Sequence, residues 1–320
     1  MSINRISSGF LTNQSVTFLN TNLGILSDLQ QKLASGKNIN QPSDDPVGLT
    51  KILSLSNEIS TDERYTRNIE SAIAEVDLAD TVLSNITELV HRAKDLAVQG
   101  ATFTGNQDGR DALALEVDQI ISQLVQLGNT NLAGKYVFGG KATASPPFNR
   151  AVGSDDVTYS GNAPATAWQR PIEISRGVEL DVNINGENLL GQVQVTAVGP
   201  PPTYSAASNG LFHTLVQLKL NLEQGDISTT GVAARLDELD LDLNNVLAEQ
   251  AKIGSITNRL ELTQSRIEER NSILTQQFSD IQNVDMAKLV SELNFQENVF
   301  QGSLATTARV LQTSLINFLR

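Results

Sequence analysis

The sequence predicts a mainly α-helical chain: an elongated, antiparallel bundle of long helices with paired terminal helices and a small inserted β domain. Apolar residues recur at helical spacing through 46–100 and again from about residue 230 to 277. A terminal helix, a break and a long helix at the start are mirrored by a long helix, a break and a terminal helix at the end. Because connections between elements are short and do not cross, the simplest packing lays the two termini together.

The first break lies between residues 33 and 46. Gly36 suits the end of a helix, since glycine readily takes the left-handed conformation that often follows the last turn. Pro42 disfavours helical geometry at the residue before it. Asp44 or Asp45 can then cap a second helix, and Pro46 fits its first turn. The sequence therefore predicts a terminal helix, a non-helical connection and a long helix that begins near residue 46.

The spacing of apolar residues and the positions of helix-ending residues predict the remaining elements. The long helix is predicted to end at Gly100, and a further helix over 111–127 is predicted to end at Gly128. Helices return at 209–223 and from about residue 230, and the tail repeats apolar residues at the α-helical period after a break at 283–285. Between them, alternating residues predict strands at 157–159, 172–174, 178–184 and 193–195.

The predicted organisation has three domains. A terminal helical coiled-coil domain combines residues 1–42 with 281–320, a helical rod domain combines 43–140 with 206–280, and a β domain occupies 141–205. Within the β domain, Asn185-Gly186 is a hairpin turn signal. Neither end of the chain passes through this insert, so we expect it to be dispensable for what the ends do.

Composition excludes several classes of protein. The net charge of −13 disfavours nucleic-acid partners and insertion into or binding to anionic membranes. The chain has no cysteine, which excludes disulfides and thiolate metal sites. No apolar run is long enough to span a membrane. The N-terminus has no apolar core and cleavage site, so any export is expected to occur without a cleaved signal peptide.

Several patterns resemble chemical sites, and each departs from what its chemistry needs. Gly128 to Tyr136 has the wrong spacing for a phosphate-binding loop and lacks the Ser or Thr that binds Mg²⁺. A calcium loop that begins at Asp181 would have Gln192 where a bidentate Glu is needed. A helix-end turn and a solvated strand face are the alternative interpretations, and we favour them.

The candidate acids and bases also favour structural roles. His91 and His213 are isolated histidines, and Asp237, Asp240 and Asp242 are predicted to lie on a solvated helix face. A hydrolase carried on a structural scaffold would need a clustered acid and base, and only Asp155 and Asp156 are adjacent acids in the insert. The sequence therefore predicts a protein that is not an enzyme, with no catalytic residue, cofactor or metal site.

Leu33 to Asn40 reads Leu-Ala-Ser-Gly-Lys-Asn-Ile-Asn, and Asp44 to Leu49 reads Asp-Asp-Pro-Val-Gly-Leu. These and several further segments resemble the bacterial flagellin superfamily, which includes the filament protein and the hook–filament junction proteins. Residues 88–100 are similar to the first core helix of that family, and residues 284–287 and 313–319 to its C-terminal segment. Asn131 to Gly140, followed by Pro147-Phe148, is similar to the motif that precedes the variable domain of junction proteins.

The resemblance implies a structural subunit of the extracellular flagellum that connects the hook side to the flagellin filament; the alternative is the filament subunit itself. It implies as partners flagellin subunits, a neighbouring hook-associated protein, further copies in a ring-like homo-oligomer, and a cytoplasmic export chaperone on the C-terminal helix. The paired terminal stripes are the expected assembly interface, and its residues are Ile3, Ile6, Phe10, Leu19, Leu23, Leu26, Leu33, Leu289, Leu293, Phe300, Leu304, Leu311, Leu315 and Phe318.

Overall fold

The computed structural model describes residues 8–102, 105–151, 153–161, 169–197, 203–206, 208–226 and 231–318. The helices are α1 (Ser8–Ser35), α2 (Pro46–Thr102), α3 (Gln107–Gly128), α4 (Gly186–Leu190), α5 (Gly210–Gln224), α6 (Val232–Gln282) and α7 (Met286–Phe318). The prediction of a mainly α-helical chain with a small β insertion is confirmed.

Within the described residues, the strands form four two-stranded antiparallel sheets. They are β1 (Asn131–Leu132) with β2 (Lys135–Tyr136), β3 (Phe148–Asn149) with β4 (Thr158–Tyr159), β5 (Pro171–Ser175) with β6 (Val178–Asp181), and β7 (Val195–Ala197) with β8 (Thr203–Tyr204). The turn between β5 and β6 contains Gly177, which has a positive φ of 70°. All four sheets lie between α3 and α5 in the sequence.

The contacts group the chain into two compact units. Residues 1–61 with 269–320 form one unit, called here the end unit, and residues 62–268 form the other, the central unit. The predicted division into three domains concerns independent folding and stays a prediction. The two predicted breaks near residues 36–45 and 283–285 both belong to the end unit.

The first break is built as the sequence predicts. Gly36 has a φ of +69°, and its amide donates to the Lys32 carbonyl at 2.9 Å. Asp45 caps α2, because its Oδ1 accepts the backbone amides of Val47 at 3.0 Å and Gly48 at 2.9 Å. Asp44 has a different role, described next, so the sequence alternative between the two acids is resolved in favour of Asp45.

Asp44 stabilises the connection between α1 and α2 and does not cap α2. Its Oδ2 accepts the backbone amides of Asn40 and Gln41, each at 3.0 Å, and these hydrogen bonds lower the pKa of its carboxyl. The connection also bonds to the second break. The Asn38 amide donates to the Gln282 carbonyl at 2.7 Å, and the Val284 amide donates to the Gly36 carbonyl at 3.1 Å. These two hydrogen bonds join the first break to the second. Asp285 caps α7, because its side chain accepts the amides of residues 287 and 288.

In the end unit, α1 and α7 pack along a seam of less exposed positions that recur at alternating steps of four and three residues. This is the spacing of a coiled coil. The seam residues are Ser15, Leu19, Asn22, Leu26, Leu29 and Leu33 on α1, and Leu289, Leu293, Gln296, Phe300, Ser303 and Thr307 on α7. Half of the α7 positions are polar, so the two helices meet through a mixed surface.

In the central unit, α2 and α6 run antiparallel. The Gln250 amide donates to Asp80 and Ser84, each at 3.2 Å, and Lys94 pairs with Asp240 further along. The predicted stop at Gly100 lies within α2, which continues to Thr102. A Cβ on Gly100 would come within 2.5 Å of the Leu222 Cδ2, so this glycine allows the close approach of α5 rather than ending the helix.

The insert shares a core with the helices. Phe148, Val157, Ile174 and Leu190 are buried in one cluster with residues of α2, α3 and α5. The Phe148 ring lies 5.3 Å from that of Phe212 on α5, centroid to centroid. The backbone of Phe148 also exchanges two hydrogen bonds with the Asn129 side chain, at 2.9 and 2.8 Å.

Two local predictions in the insert are wrong. The strand predicted over 178–184 ends at Asp181, and Asn185-Gly186 is not a hairpin turn. Asn185 instead caps α4, because its Oδ1 accepts the Glu187 amide at 2.8 Å. The same Asx chemistry that favours turns also favours helix N-caps, and the apolar residues that follow select the helix.

Candidate assembly interface

Several of the polar groups considered as chemical sites have structural partners in the central unit. Asp155 pairs with Lys219, and Asp156 Oδ1 accepts the Val195 amide at 2.7 Å. The prediction that Asp242 lies on a solvated helix face is wrong, because its side chain is buried and accepts a hydrogen bond from Thr214 Oγ1 at 2.7 Å. Burial raises the pKa of its carboxyl. These contacts join elements of the central unit, and they bring no acid and base together around an open cavity.

The segments that resemble a phosphate-binding loop and a calcium loop also have structural roles. Gly128 ends α3, and residues 131–136 form the β1–β2 hairpin, with Ala133 and Gly134 at positive φ in its turn. In the calcium-like segment, Asn183 Oδ1 accepts the Arg170 amide at 2.9 Å and Asn185 Oδ1 caps α4, so both side-chain oxygens are used by the backbone. Among the residues that the structure describes, no group of three or more His, Asp or Glu side chains could hold a metal ion.

His213 is a partly buried structural histidine. Its ring lies edge-on to Tyr204, with 4.5 Å between ring centroids, and its Nε2 lies 2.7 Å from the Gln217 Nε2. Burial, assisted by the Arg235 charge, lowers its pKa from the ordinary 6.5. The ring therefore connects β8 to α5.

We expect the central unit to lose stability as the pH falls below 6.5, the ordinary pKa of histidine. In that range the unfolded chain binds a proton at residue 213 that the folded chain does not, so the free energy of unfolding rises with pH and falls with acidification. The loss ends once the pH reaches the lowered pKa of the folded state. Urea unfolding at a series of pH values measures this slope.

His213→Gln supplies the matched control for that slope. The raised pKa values of Glu223 and Asp242 contribute pH dependence of the opposite sign, and both groups are present in either chain. The difference between the two slopes isolates the histidine. Identical slopes below pH 6.5 would contradict the assignment.

The end unit holds the predicted assembly residues. Leu289 is buried in the seam, and five others are partly buried there: Leu19, Leu26, Leu33, Leu293 and Phe300. Phe10, Leu23 and Leu304 are exposed. Ile3 and Ile6 lie outside the described residues, as do the side chains of Leu311, Leu315 and Phe318. The predicted single stripe thus contains two kinds of residue, those that join α1 to α7 and those that face outwards.

The sequence stripe misplaces one step of α7 and misses further outward residues. Ser303 occupies the seam position that the apolar pattern gives to Leu304. Additional large apolar side chains are exposed on both helices: Val16, Phe18, Ile25, Met286, Val290 and Phe295. In the sequence these residues are distinguished only by being apolar and outside the seam, so they can be recognised only once the seam is known. The exposed apolar residues make α1 and α7 the candidate assembly surface.

Comparison with known proteins identifies the chain's family. The bacterial flagellin N-terminal helical region matches residues 6–143, and the bacterial flagellin C-terminal helical region matches residues 236–319. Together these matches span well over half of the chain. It belongs to the bacterial flagellin family. The N-terminal match includes α1 and the C-terminal match includes α7, the two helices of the candidate interface.

Individual relatives agree with this assignment. Flagellar hook-associated protein 3 of Escherichia coli is 29% identical over 282 residues, which cover 85% of this chain and 86% of that protein. The protein of the same name from Salmonella typhimurium is 26% identical over 325 residues, covering 99% and 100%. Among solved structures, flagellar hook associated protein-3 of Legionella pneumophila is similar in fold, with a TM-score of 0.61 and 15% identity, covering 72% of this chain and 98% of that one.

Among the described helices of this flagellin-family chain, none is both long and apolar enough to cross a membrane. The apolar residues exposed on α1 and α7 are scattered between Asn, Gln, Ser and Thr positions. This composition fits a protein–protein surface, which is as mixed as the rest of a protein's exterior.

Proposed function

We propose that this chain is a structural subunit of the bacterial flagellum that joins the hook side to the flagellin filament, and that it is not an enzyme. The carrying observation is the end unit: two helices joined by a half-polar seam, with large apolar side chains left exposed on both. The near full-length relatives that carry the hook-associated name support the junction role. The functional partners are flagellin subunits, a neighbouring hook-associated protein and further copies of the chain in a ring.

A second candidate function is the filament subunit itself, because both family regions that match this chain are named for flagellin. The segment 131–148 favours the junction role, because Asn131 to Gly140 followed by Pro147-Phe148 is similar to the motif that precedes the variable domain of junction proteins. In it, Val137, Phe138 and Phe148 are buried, and the Phe138 carbonyl accepts hydrogen bonds from Tyr159 Oη at 2.9 Å and the Gly186 amide at 3.1 Å. This segment is therefore a structural joint between α3 and the insert.

Electron microscopy of a strain that lacks this chain distinguishes the two functions. A junction protein predicts hooks without filaments, with flagellin shed into the medium, and restored filaments after complementation. A filament subunit predicts no shed flagellin, and a purified chain that polymerises into long filaments by itself. The second pattern would overturn the junction role.

The surface of α7 also suits an export chaperone. Met286, Val290 and Phe295 are exposed before assembly, and such residues invite premature association. We propose that a cytoplasmic chaperone covers α7 until the chain is exported. We expect removal of residues 280–320 to abolish co-purification of that chaperone. Val290→Asp with Phe295→Asp should weaken it strongly, whereas Leu115→Asp on α3 should have no effect; equal binding by all variants would place the chaperone elsewhere.

A further inference from the structure

The seam between α1 and α7 contains a partly buried polar cluster of Asn22, Gln296 and Ser303. Asn22 Nδ2 donates to Ser303 Oγ at 3.0 Å, and Asn22 Oδ1 accepts from Gln296 Nε2 at 3.3 Å. Gln296 is only 9% exposed. One amide on α1 thus bonds to two side chains that are seven residues apart on α7, on either side of it.

These three positions lie where a coiled coil ordinarily has apolar residues. Leucines there would bury more apolar surface, so the polar side chains do not maximise stability. They do make one alignment distinct from its neighbours. A slip of one heptad moves Asn22 by seven residues along α7, and it can then keep at most one of its two hydrogen bonds. The polar group left unpaired in the seam disfavours the slipped alignment.

The polar cluster lies beyond the part of the helix pair that backbone hydrogen bonds hold together. The hydrogen bonds between residues 36–38 and 282–284 hold the near end of the helix pair. Asn22 is thirteen residues before Ser35, where α1 ends, so it lies about 20 Å along the helix from that end. Beyond the near end, the apolar seam alone would accept more than one alignment or another apolar helix.

We propose that Asn22, Gln296 and Ser303 form a register lock that aligns the distal parts of α1 and α7 and selects them as partners for each other. The alignment matters because the exposed apolar residues come from both helices, and only one register places those of α1, such as Leu23, at a fixed offset from those of α7, such as Leu304. A buried polar contact that specifies register at a cost in stability is a known use of such residues in coiled coils.

Engineered cysteines test the lock in the free chain, which contains none of its own. Ser15→Cys with Thr307→Cys marks the observed register beyond the cluster, and Ser15→Cys with Phe300→Cys marks a slip of one heptad. We expect mild oxidation to favour the first cross-link by about tenfold, the ratio that the loss of one hydrogen bond within the seam produces. Equal cross-linking of both pairs would overturn the proposal.

The lock itself is removed by changing Asn22, Gln296 and Ser303 to Leu. We expect a helix pair that melts at the same or a higher temperature, yet gives both cross-links at comparable yield. Asn22→Ala alone should also reduce the preference for the first cross-link. This single variant replaces the triple variant in the test if the triple variant self-associates. A triple variant that still forms only the first cross-link would show that the near-end backbone bonds suffice, and the lock would be wrong. Because cross-linking is measured without flagella, its failure is separate from failure of the junction role.

Discussion

The double change Leu23→Asp with Leu304→Asp is expected to abolish retention of the filament while leaving the melting of the isolated chain unchanged. Both side chains are exposed, at 52% and 45%, and neither lies in the seam. Exposed substitutions away from packed features alter the free energy of unfolding by only about 0.5 kcal/mol. In the assembled flagellum the same residues are proposed to be buried, and an unpaired carboxylate is very unfavourable there.

The matched control places the same chemistry on the central unit. Leu115→Asp with Leu262→Asp changes two leucines that are 67% and 68% exposed, on α3 and α6. We expect flagellated, motile cells from this variant and shed flagellin from the first, with equal amounts of both chains exported. Filament loss in the control, or retained filaments in the end-unit variant, would contradict the assignment of the interface to α1 and α7.

Phe148→Ala is expected to cause the largest loss of stability of any substitution considered for the central unit. The ring is fully enclosed between Tyr159 and Phe212, at centroid distances of 5.2 and 5.3 Å. Truncating a buried phenylalanine costs about 3–5 kcal/mol, which lowers the melting temperature of a unit of this size by roughly 6–20 °C. Thermal unfolding followed by circular dichroism measures the shift.

Phe295→Ala is the control, since it makes the same chemical change at a ring that is 66% exposed. Its melting temperature should stay close to that of the unmodified chain. If Phe148→Ala melts no lower than this control, the insert does not support the helical core. The shared core also changes the expectation for the insert as a whole. Replacing residues 145–203 with a short linker removes Phe148, Val157, Ile174 and Leu190 together, so we now expect that variant to unfold rather than to remain functional.

The sequence by itself determined the helices, their breaks and the family. Gly36, Asp45 and Asp285 act through bonds to residues a few positions away, so their roles could be predicted without a fold. Helical periodicity likewise depends on the spacing of nearby residues, and the α1 and α7 stripes were found from it. The flagellin resemblance rested on short motifs in these same regions.

Tertiary structure alone decided which side chains meet. The sequence could not place Ser303 rather than Leu304 in the seam, because that choice depends on the register against a helix almost 300 residues away in the chain. Nor could it show that Gly100 makes room for Leu222, or that the insert completes the core of α3 and α5. Burial is a property of contacts between distant segments, whereas caps and periods are properties of neighbours, and this difference separates what could be predicted from what had to be seen.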